Sequence, residues 1–458
     1  MVECNIDFGE IEKIVKLIGE KYFIDPCVEK VGNKEVECWN ILMGVFSYIG
    51  KKNTLLVGEP GTGKTTFSGV ISAILSGLPF DLYDSLKIQG HPEQTKDTML
   101  GRLDLGKLSK EGVEDVIWQP QLYLPALIFD ELNRLPPKGQ SIILEYIRTG
   151  SVEHLGKYFS RGKFPFFATI NYDDVGTYPL SPPFLDRFDI SLEFIPDPSC
   201  SEDAQTASCN IEEELKDPEI TKEVVTYLLI KDMPIENKIK SLQEKAKEHT
   251  KKKNLLYLEL PDKVEIDIPW SPDAKTFLRC IWGEINLTYL YGYNRSSDPR
   301  DTSSHNKPFA SSKVKGAITQ RRRNAITYYT SMLAVYLGDK QVEIDHVLAV
   351  APYVLAHRLE FTDDYKAKFA QERRLRGERR EQDLTRRVLD EIKKNFDDVA
   401  YDIQLLDAFL AENLDKKRMP EIKKILGGPP PDHPLLLKYY NEAKERWKYE
   451  VMRYGHVY

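Results

Sequence analysis

The segment "GEPGTGKT" at residues 58–65 matches the phosphate-binding pattern GxxxxGK[ST] at every fixed position. An apolar run precedes it and a helical pattern follows it, which is the setting that this pattern requires. Glycines let backbone N–H groups turn towards an anion at the start of a helix, whose dipole also favours negative charge. The candidate phosphate-binding residues are Gly58, Glu59, Pro60, Gly61, Thr62, Gly63, Lys64, Thr65 and Thr66. Lys64 would contact the β- and γ-phosphates and Thr65 would offer its hydroxyl to Mg²⁺, and a chance glycine-rich turn is the alternative.

Two adjacent carboxylates, Asp130 and Glu131, end the apolar run "LIFDE". Ligands of open α/β sheets lie at the carboxyl ends of the strands. Asp130 is therefore a candidate, with Thr65, for the Mg²⁺ site, and Glu131 is a candidate general base that polarises an attacking water. A helix N-terminus whose dipole favours two acids is the alternative. The glycine-rich loop upstream favours the catalytic interpretation.

An amide side chain, that of Asn171, follows the next apolar run, "FPFFATI". A short amide at this position would orient the same water near the terminal phosphate. Asparagine at the end of a strand is also a common turn former, and that interpretation stays open.

A proline-rich stretch, "YPLSPPFLDRF", then leads to Arg187. Its three prolines fix φ and remove backbone donors. Such a loop holds the guanidinium in place in advance, which lowers the entropy lost when it engages a partner. The alternative is a local surface pair between Asp186 and Arg187, which would add little stability.

Short apolar runs alternate with helical patterns around these residues. Buried strands are predicted at 54–57, 126–131, 164–170 and 190–194, and helices at 136–150 and from about Lys64 onwards. This alternation predicts an α/β fold with a mainly parallel sheet that is covered on both faces.

Changes in composition divide the chain into four predicted regions. Residues 1–195 contain N-terminal helices and the α/β core, and residues 196–260 are so charged that they predict an exposed, partly mobile insertion. Residues 261–360 form a compact helical domain, and residues 361–458 form a charged helical extension.

The overall composition excludes several classes of protein. The 458 residues carry a net charge of -7, which argues against a protein built to coat nucleic acid. Six cysteines without a CxxC pair argue against metal clusters and a disulfide framework and favour a cytoplasmic location. Neither a signal peptide nor an apolar run long enough to cross a membrane is visible.

Four segments together resemble the MoxR group of AAA+ ATPases. They are "LLVGEPGTGKTT", "LIFDELNRLPPKGQSIILEYIRTGSV", "ATINYDDVGTYPLSPPFLDRF" and "VEIDHVLAVAPYVLAHRL". The resemblance is close over 36–195 and looser over 266–359. It implies an AAA+ αβα core with a helical lid, ATP and Mg²⁺ as ligands, and assembly into a homo-oligomeric ring, expected to be a hexamer.

The resemblance also implies roles for three arginines. Arg187 would act as an arginine finger that reaches into the nucleotide site of the neighbouring subunit. Arg321 would contact the γ-phosphate from the lid (sensor 2), but the motif here is Thr-Gln-Arg instead of Ser-Pro-Arg, so that Arg322 and Arg323 remain alternatives. Arg134 would either face a subunit boundary or form a surface ion pair.

The implied function is that of a remodelling chaperone which acts with a von Willebrand factor A domain protein on a client that the sequence does not identify. Two other classes stay open. A nucleic-acid-acting motor or restriction-type translocase is suggested only by the basic, aromatic C-terminus, "KYYNEAKERWKYEVMRY". A non-hydrolysing, ATP-gated scaffold is disfavoured by the carboxylate pair and Arg187.

Overall fold

The computed structural model describes residues 3–171, 176–195, 201–230, 233–256, 260–261, 263–286, 309–310, 313–315, 318–376 and 380–454. The chain divides into two compact units, Val2–Asp267 and Ile268–Tyr458, with Met1 grouped with the second. No helix among these described residues has the length and apolar character needed to cross a membrane.

The first unit contains helices and strands in alternation. In chain order they are β1 (Glu3–Cys4), α1 (Phe8–Lys21), β2 (Glu29–Val31), β3 (Lys34–Val36), α2 (Trp39–Ile49), β4 (Asn53–Gly58), α3 (Lys64–Ser76), α4 (Phe80–Leu86), β5 (Ile88–Gln89), α5 (Lys96–Met99), β6 (Gly101–Leu103), α6 (Leu105–Glu111), β7 (Val116–Trp118), β8 (Leu127–Asp130), α7 (Pro137–Thr149), β9 (Ser151–His154), β10 (Lys157–Ser160), β11 (Phe166–Asn171), α8 (Pro182–Leu185), β12 (Ile190–Phe194), α9 (Ser201–Asn210), α10 (Pro218–Leu228), α11 (Ile235–Lys253) and β13 (Ile266–Asp267). Short 3₁₀ turns cover Pro120–Tyr123 and Leu132–Arg134, and a π-helical turn covers Ile211–Leu215.

A five-stranded parallel sheet forms the centre of this unit, in the order β12-β4-β11-β8-β5. Its inner strands are nearly continuous runs of buried apolar residues, as expected for a sheet that is covered on both faces. The helix α2 is buried along its whole length, because it is apolar on every side. The predicted parallel α/β sheet is confirmed.

The segment that was predicted to be an exposed insertion is largely helical over residues 201–230 and 233–256, and one face of its helices is packed. The Nδ1 atom of His249 lies 2.9 Å from the carbonyl oxygen of Gly77, and the Asp217 N–H donates to Asp81 Oδ1 over 3.0 Å. Tyr22 donates to Glu214. Residues 196–200, 231–232 and 257–259 of this segment lie outside the described residues.

The buried side chains of this segment recur at helical spacing between charged ones. They include Ile211, Leu215, Ile220, Val224, Leu228, Leu242, Ala246 and His249. A narrow apolar stripe is enough for a helix to pack against the rest of the protein. The average composition of a charged segment does not reveal such a stripe.

The second unit is mostly helical. It contains α12 (Pro272–Asn286), β14 (Val314–Lys315), α13 (Gln320–Tyr336), α14 (Ile344–Leu355), β15 (Glu360–Phe361), α15 (Asp363–Arg376), α16 (Arg380–Leu410), α17 (Met419–Gly427) and α18 (Pro434–Tyr454). The long helix α16 packs against α12, α14 and α18. The predicted boundary at residue 360 therefore does not separate two units, since residues on both sides of it share one core.

The C-terminal helix α18 packs within this unit. Tyr440 and Ala443 are buried, and Arg446 donates to the carbonyl oxygen of Leu410 over 2.6 Å. The Trp447 ring lies 6.1 Å from that of Phe409. These contacts favour the interpretation of α18 as a packing helix over that of a base-stacking surface.

Candidate active site

Four parallel strands end at one edge of the central sheet. In the register of the sheet, Gly58 of β4 lies opposite Asn171 of β11, and Asp130 of β8 lies opposite Gln89 of β5. Glu131 follows Asp130 directly. The sheet therefore brings together the glycine-rich loop, the two carboxylates and the asparagine that the sequence singled out.

The glycine-rich loop requires glycine at two positions. Gly61 and Gly63 have φ values of 81° and 78°, in the left-handed region that side chains disfavour. Gly63 immediately precedes α3, whose first turn contains Lys64, Thr65 and Thr66. Backbone N–H groups at such a helix start form a site for an anion.

The Lys64 side chain lies inside this loop and bonds to its backbone. Its side chain is only 6% exposed, and its Nζ donates to the carbonyl oxygens of Gly58 over 3.0 Å and Glu59 over 2.6 Å. Burial lowers the pKa of Lys64, while the negative charges of Asp130, Glu131 and Glu59 oppose this effect. A buried cation at the N-terminus of α3 fits a phosphate chain.

Oxygen donors suited to Mg²⁺ meet beside the loop. The Thr65 hydroxyl donates to Asp130 Oδ1 over 2.7 Å, and the Thr169 hydroxyl donates to the same oxygen over 2.6 Å. A carboxylate and a hydroxyl beside a phosphate site are the hard ligands that this ion prefers. Thr169 was not predicted, although a hydroxyl in the apolar run "FFATI" was a visible signal.

Glu131 has a left-handed backbone, with a φ of 51° and a ψ of 48°. Its carboxylate accepts a hydrogen bond from Gln89 Nε2 at Oε2 over 2.8 Å, and one from Asn171 Nδ2 at Oε1 over 3.4 Å. Arg134 Nη2 lies 3.2 Å from Oε1. Both carboxylate oxygens are thus engaged, and Arg134 forms an ion pair with Glu131. Gln89 was missed by the sequence analysis.

Arg187 lies at the opposite end of the strands, beside their amino ends. Its carbonyl oxygen accepts a hydrogen bond from Asn53 Nδ2 over 2.8 Å, and Asn53 begins β4, the strand that Gly58 ends. At about 3.3 Å per residue, the strand separates Asn53 from Gly58 by roughly 16 Å. Arg187 is therefore not brought to the site with the other predicted residues of its own chain.

Arg321 belongs to the second unit, in the first turn of α13. Of its alternatives, Arg322 is completely buried and Arg323 is exposed, whereas Arg321 is half-buried. Thr319 occupies the N-cap position of α13, but its side chain makes no capping hydrogen bond to the helix. The contact of Arg321 with nucleotide stays a prediction.

Residues 53–188 match the family model of the AAA domain, dynein-related subfamily. The chain is 27% identical over 205 residues to "Uncharacterized protein YeaC" of Bacillus subtilis (strain 168), and the match covers 43% of this chain and 59% of YeaC. The chain thus spans less than two thirds of the length of that relative. It also resembles the crystal structure of a "putative ATPase" from Cytophaga hutchinsonii ATCC 33406, with a TM-score of 0.50 and 17% identity, over 84% of this chain and 94% of that chain.

The sheet and the family match agree on one class of protein. The matched span, residues 53–188, has the fold of an AAA-type ATPase domain; it begins at the first residue of β4 and ends one residue after Arg187, before the last strand of the sheet, β12. The predicted AAA+ α/β fold and the ATPase class of this domain are confirmed.

Proposed function

We propose that the protein hydrolyses Mg²⁺-ATP at a site which two neighbouring subunits of a homo-oligomeric ring share. The observation that carries this proposal is the position of Arg187. Its backbone lies roughly 16 Å along β4 from the glycine-rich loop of its own chain. An arginine at that edge of the sheet is better placed to serve a second copy than its own site.

Within one subunit, the glycine-rich loop and Lys64 bind the phosphates. Thr65 and Asp130 would hold Mg²⁺, and this ion would neutralise charge on the phosphates. Glu131 is the general base for the attacking water, and Asn171 orients this water. Asn171 and Arg134 both contact Oε1 of Glu131, whereas Gln89 donates to Oε2, so that Oε2 keeps a lone pair for the attacking water.

Two arginines complete the site. Arg187 of the neighbouring subunit stabilises the charge that develops on the transferring phosphoryl group, and such fingers accelerate hydrolysis by roughly 10³–10⁵-fold. By the resemblance to the MoxR group, Arg321 contacts the γ-phosphate.

The biological role that we propose is that of a MoxR-like remodelling chaperone in the form of a hexameric ring. The four sequence segments that resemble this group support it, and the AAA domain match supports the wider AAA class. By the same resemblance, its partner is a von Willebrand factor A domain protein.

A mixture of two inactive variants tests the shared site. Arg187→Ala subunits keep Glu131 but lack the finger, and Glu131→Gln subunits keep the finger but lack the base. Random assembly of equal amounts joins both intact groups at about one interface in four. We therefore expect each variant alone to be inactive and the mixture to recover about a quarter of the wild-type ATPase rate.

The control is Arg148→Ala, which removes an exposed arginine from the last turn of α7. This variant should keep the wild-type rate. Co-purification of two differently tagged variants shows whether mixed rings form. Mixed rings that recover no activity would contradict the proposed role of Arg187.

A further inference from the structure

The proline-rich loop (residues 176–187) that presents Arg187 is anchored at its C-terminal end, where Phe184 is buried and the carbonyl oxygen of Arg187 accepts from Asn53 Nδ2 over 2.8 Å. The side chains of residues 177–183 are exposed or half-buried. Prolines restrict the shape of a loop, but they do not fix its position on the rest of the protein. A contact from the rest of the protein must therefore hold residues 176–181, which lead to the anchored end.

Gln140 supplies such an anchor. It lies in the second turn of α7 and is only 2% exposed. Its Nε2 donates to the carbonyl oxygen of Leu135 over 3.0 Å and approaches that of Pro179 at 3.5 Å, while its Oε1 accepts from the Ser181 N–H over 3.4 Å. One buried amide thus joins the turn that follows Glu131 to the proline-rich loop.

A second contact lies beside it. The Tyr178 N–H donates to the backbone carbonyl of Asn133 over 2.6 Å, and the Asn133 side chain donates to the carbonyl oxygen of Asn171 over 3.0 Å. The side chain of Asn133 is therefore directed to the strand that carries Asn171, whereas the side chain of Gln140 is directed to the loop that carries Arg187.

We propose that Gln140 is a positioning residue that acts through Arg187. It attaches the proline-rich loop to α7 and so helps to determine the position of the arginine that one subunit offers to the next. This inference rests on the proposed shared site. By this inference, Gln140 affects catalysis in the site of the neighbouring subunit, although it contacts the turn that follows Glu131 in its own subunit.

The test is Gln140→Met, which keeps the length of an unbranched side chain and removes both polar atoms. ATP affinity should stay at the wild-type value, because the glycine-rich loop is untouched. We expect kcat to fall roughly 10- to 100-fold, since a displacement of about 1 Å at a site remote from the chemistry can cost 100-fold. Ser141→Ala, at an exposed neighbour in the same helix, is the control and should keep the wild-type kcat.

Two further measurements separate this role from a merely structural one. Gln140→Met subunits retain Glu131, so mixing them with Glu131→Gln subunits should restore activity as it does for Arg187→Ala. The double variant Gln140→Met/Arg187→Ala should be no slower than Arg187→Ala alone, because both changes remove the same interaction. If Gln140→Met does not fold, Ser181→Pro is the second variant. It removes the N–H from which Gln140 Oε1 accepts a hydrogen bond, and the φ of -64° at this position is one that proline adopts. We expect kcat to fall in the same way but by a smaller factor.

A wild-type kcat for Gln140→Met would overturn the inference. So would a lower kcat that mixing fails to restore while the Arg187→Ala mixture recovers, since the defect would then lie in the variant's own site. Failure of the Arg187→Ala mixture itself would instead refute the shared site, and this inference with it.

Discussion

Glu131 has a strained backbone, and its carboxylate accepts hydrogen bonds from Gln89 and Asn171 and forms an ion pair with Arg134. A left-handed conformation costs a residue with a side chain about 1–2 kcal/mol. The Glu131 N–H bonds to Thr169 Oγ1 over 2.9 Å, and Gln89 holds the carboxylate. Strained residues that their surroundings over-determine cluster at active sites. The geometry of Glu131 therefore supports its proposed role as the general base.

This role predicts a separation of binding from turnover in Glu131→Gln. The variant should bind ATP as the wild type does, because Lys64 and the loop are intact, and its kcat should fall by about 10²–10⁴, the usual contribution of a general base. Calorimetric titration with ATP and a phosphate-release assay measure the two quantities.

Two further variants calibrate that result. Lys64→Ala should lose ATP binding, and Glu145→Gln, at an exposed position of α7, should change neither quantity. Normal turnover in Glu131→Gln would assign the base to another residue.

At the residue scale, the sequence predicted contacts that one motif or one strand end encodes. Thr65 and Asp130 are in contact as expected. Gln89 and Thr169 were missed because their relevance depends on which strand lies beside β8, and β5 and β11 are its neighbours. Strand order follows from the packing of the whole sheet, which no local pattern specifies.

At the scale of elements, long apolar patterns were predicted well and short hairpins were not. The strands β4 and β11 and the helix α7 lie where the patterns placed them. The hairpin β9–β10 turns at Leu155 and Gly156, both with positive φ. Such turns usually carry Asn-Gly or Asp-Gly, so a leucine in the first position removes the sequence signal.

The helices between residues 201 and 256 give a prediction at the same scale. Leu242 is 3% exposed on the buried stripe of α11, so Leu242→Ala should lower the free energy of unfolding by about 2–5 kcal/mol. Urea denaturation monitored by circular dichroism measures this change.

Gln243→Ala, at the adjacent exposed position, is the matched control and should leave stability unchanged. If both variants had wild-type stability, the helix would be undocked, as the charged composition of the segment had suggested.

At the scale of the whole molecule, the sequence predicted the core but not the extent of the second unit. A stripe of buried side chains in α16, at Leu384, Val388, Leu389, Ile392 and Phe396, belongs to the same core as α12 and α14. Charged residues make up 13 of the 31 residues of α16, and they led to the prediction of a separate extension. The apolar spacing of α16 was the better guide.

In the proposed mechanism, one copy of the chain holds an incomplete catalytic site. The turnover rate per subunit, recorded over a dilution series together with the molar mass from light scattering, tests it most directly. We predict that turnover rises with the assembled fraction, whereas a control series of Arg187→Ala assembles equally and stays slow. A monomer that hydrolyses ATP at the full rate of the assembled protein would contradict the claim.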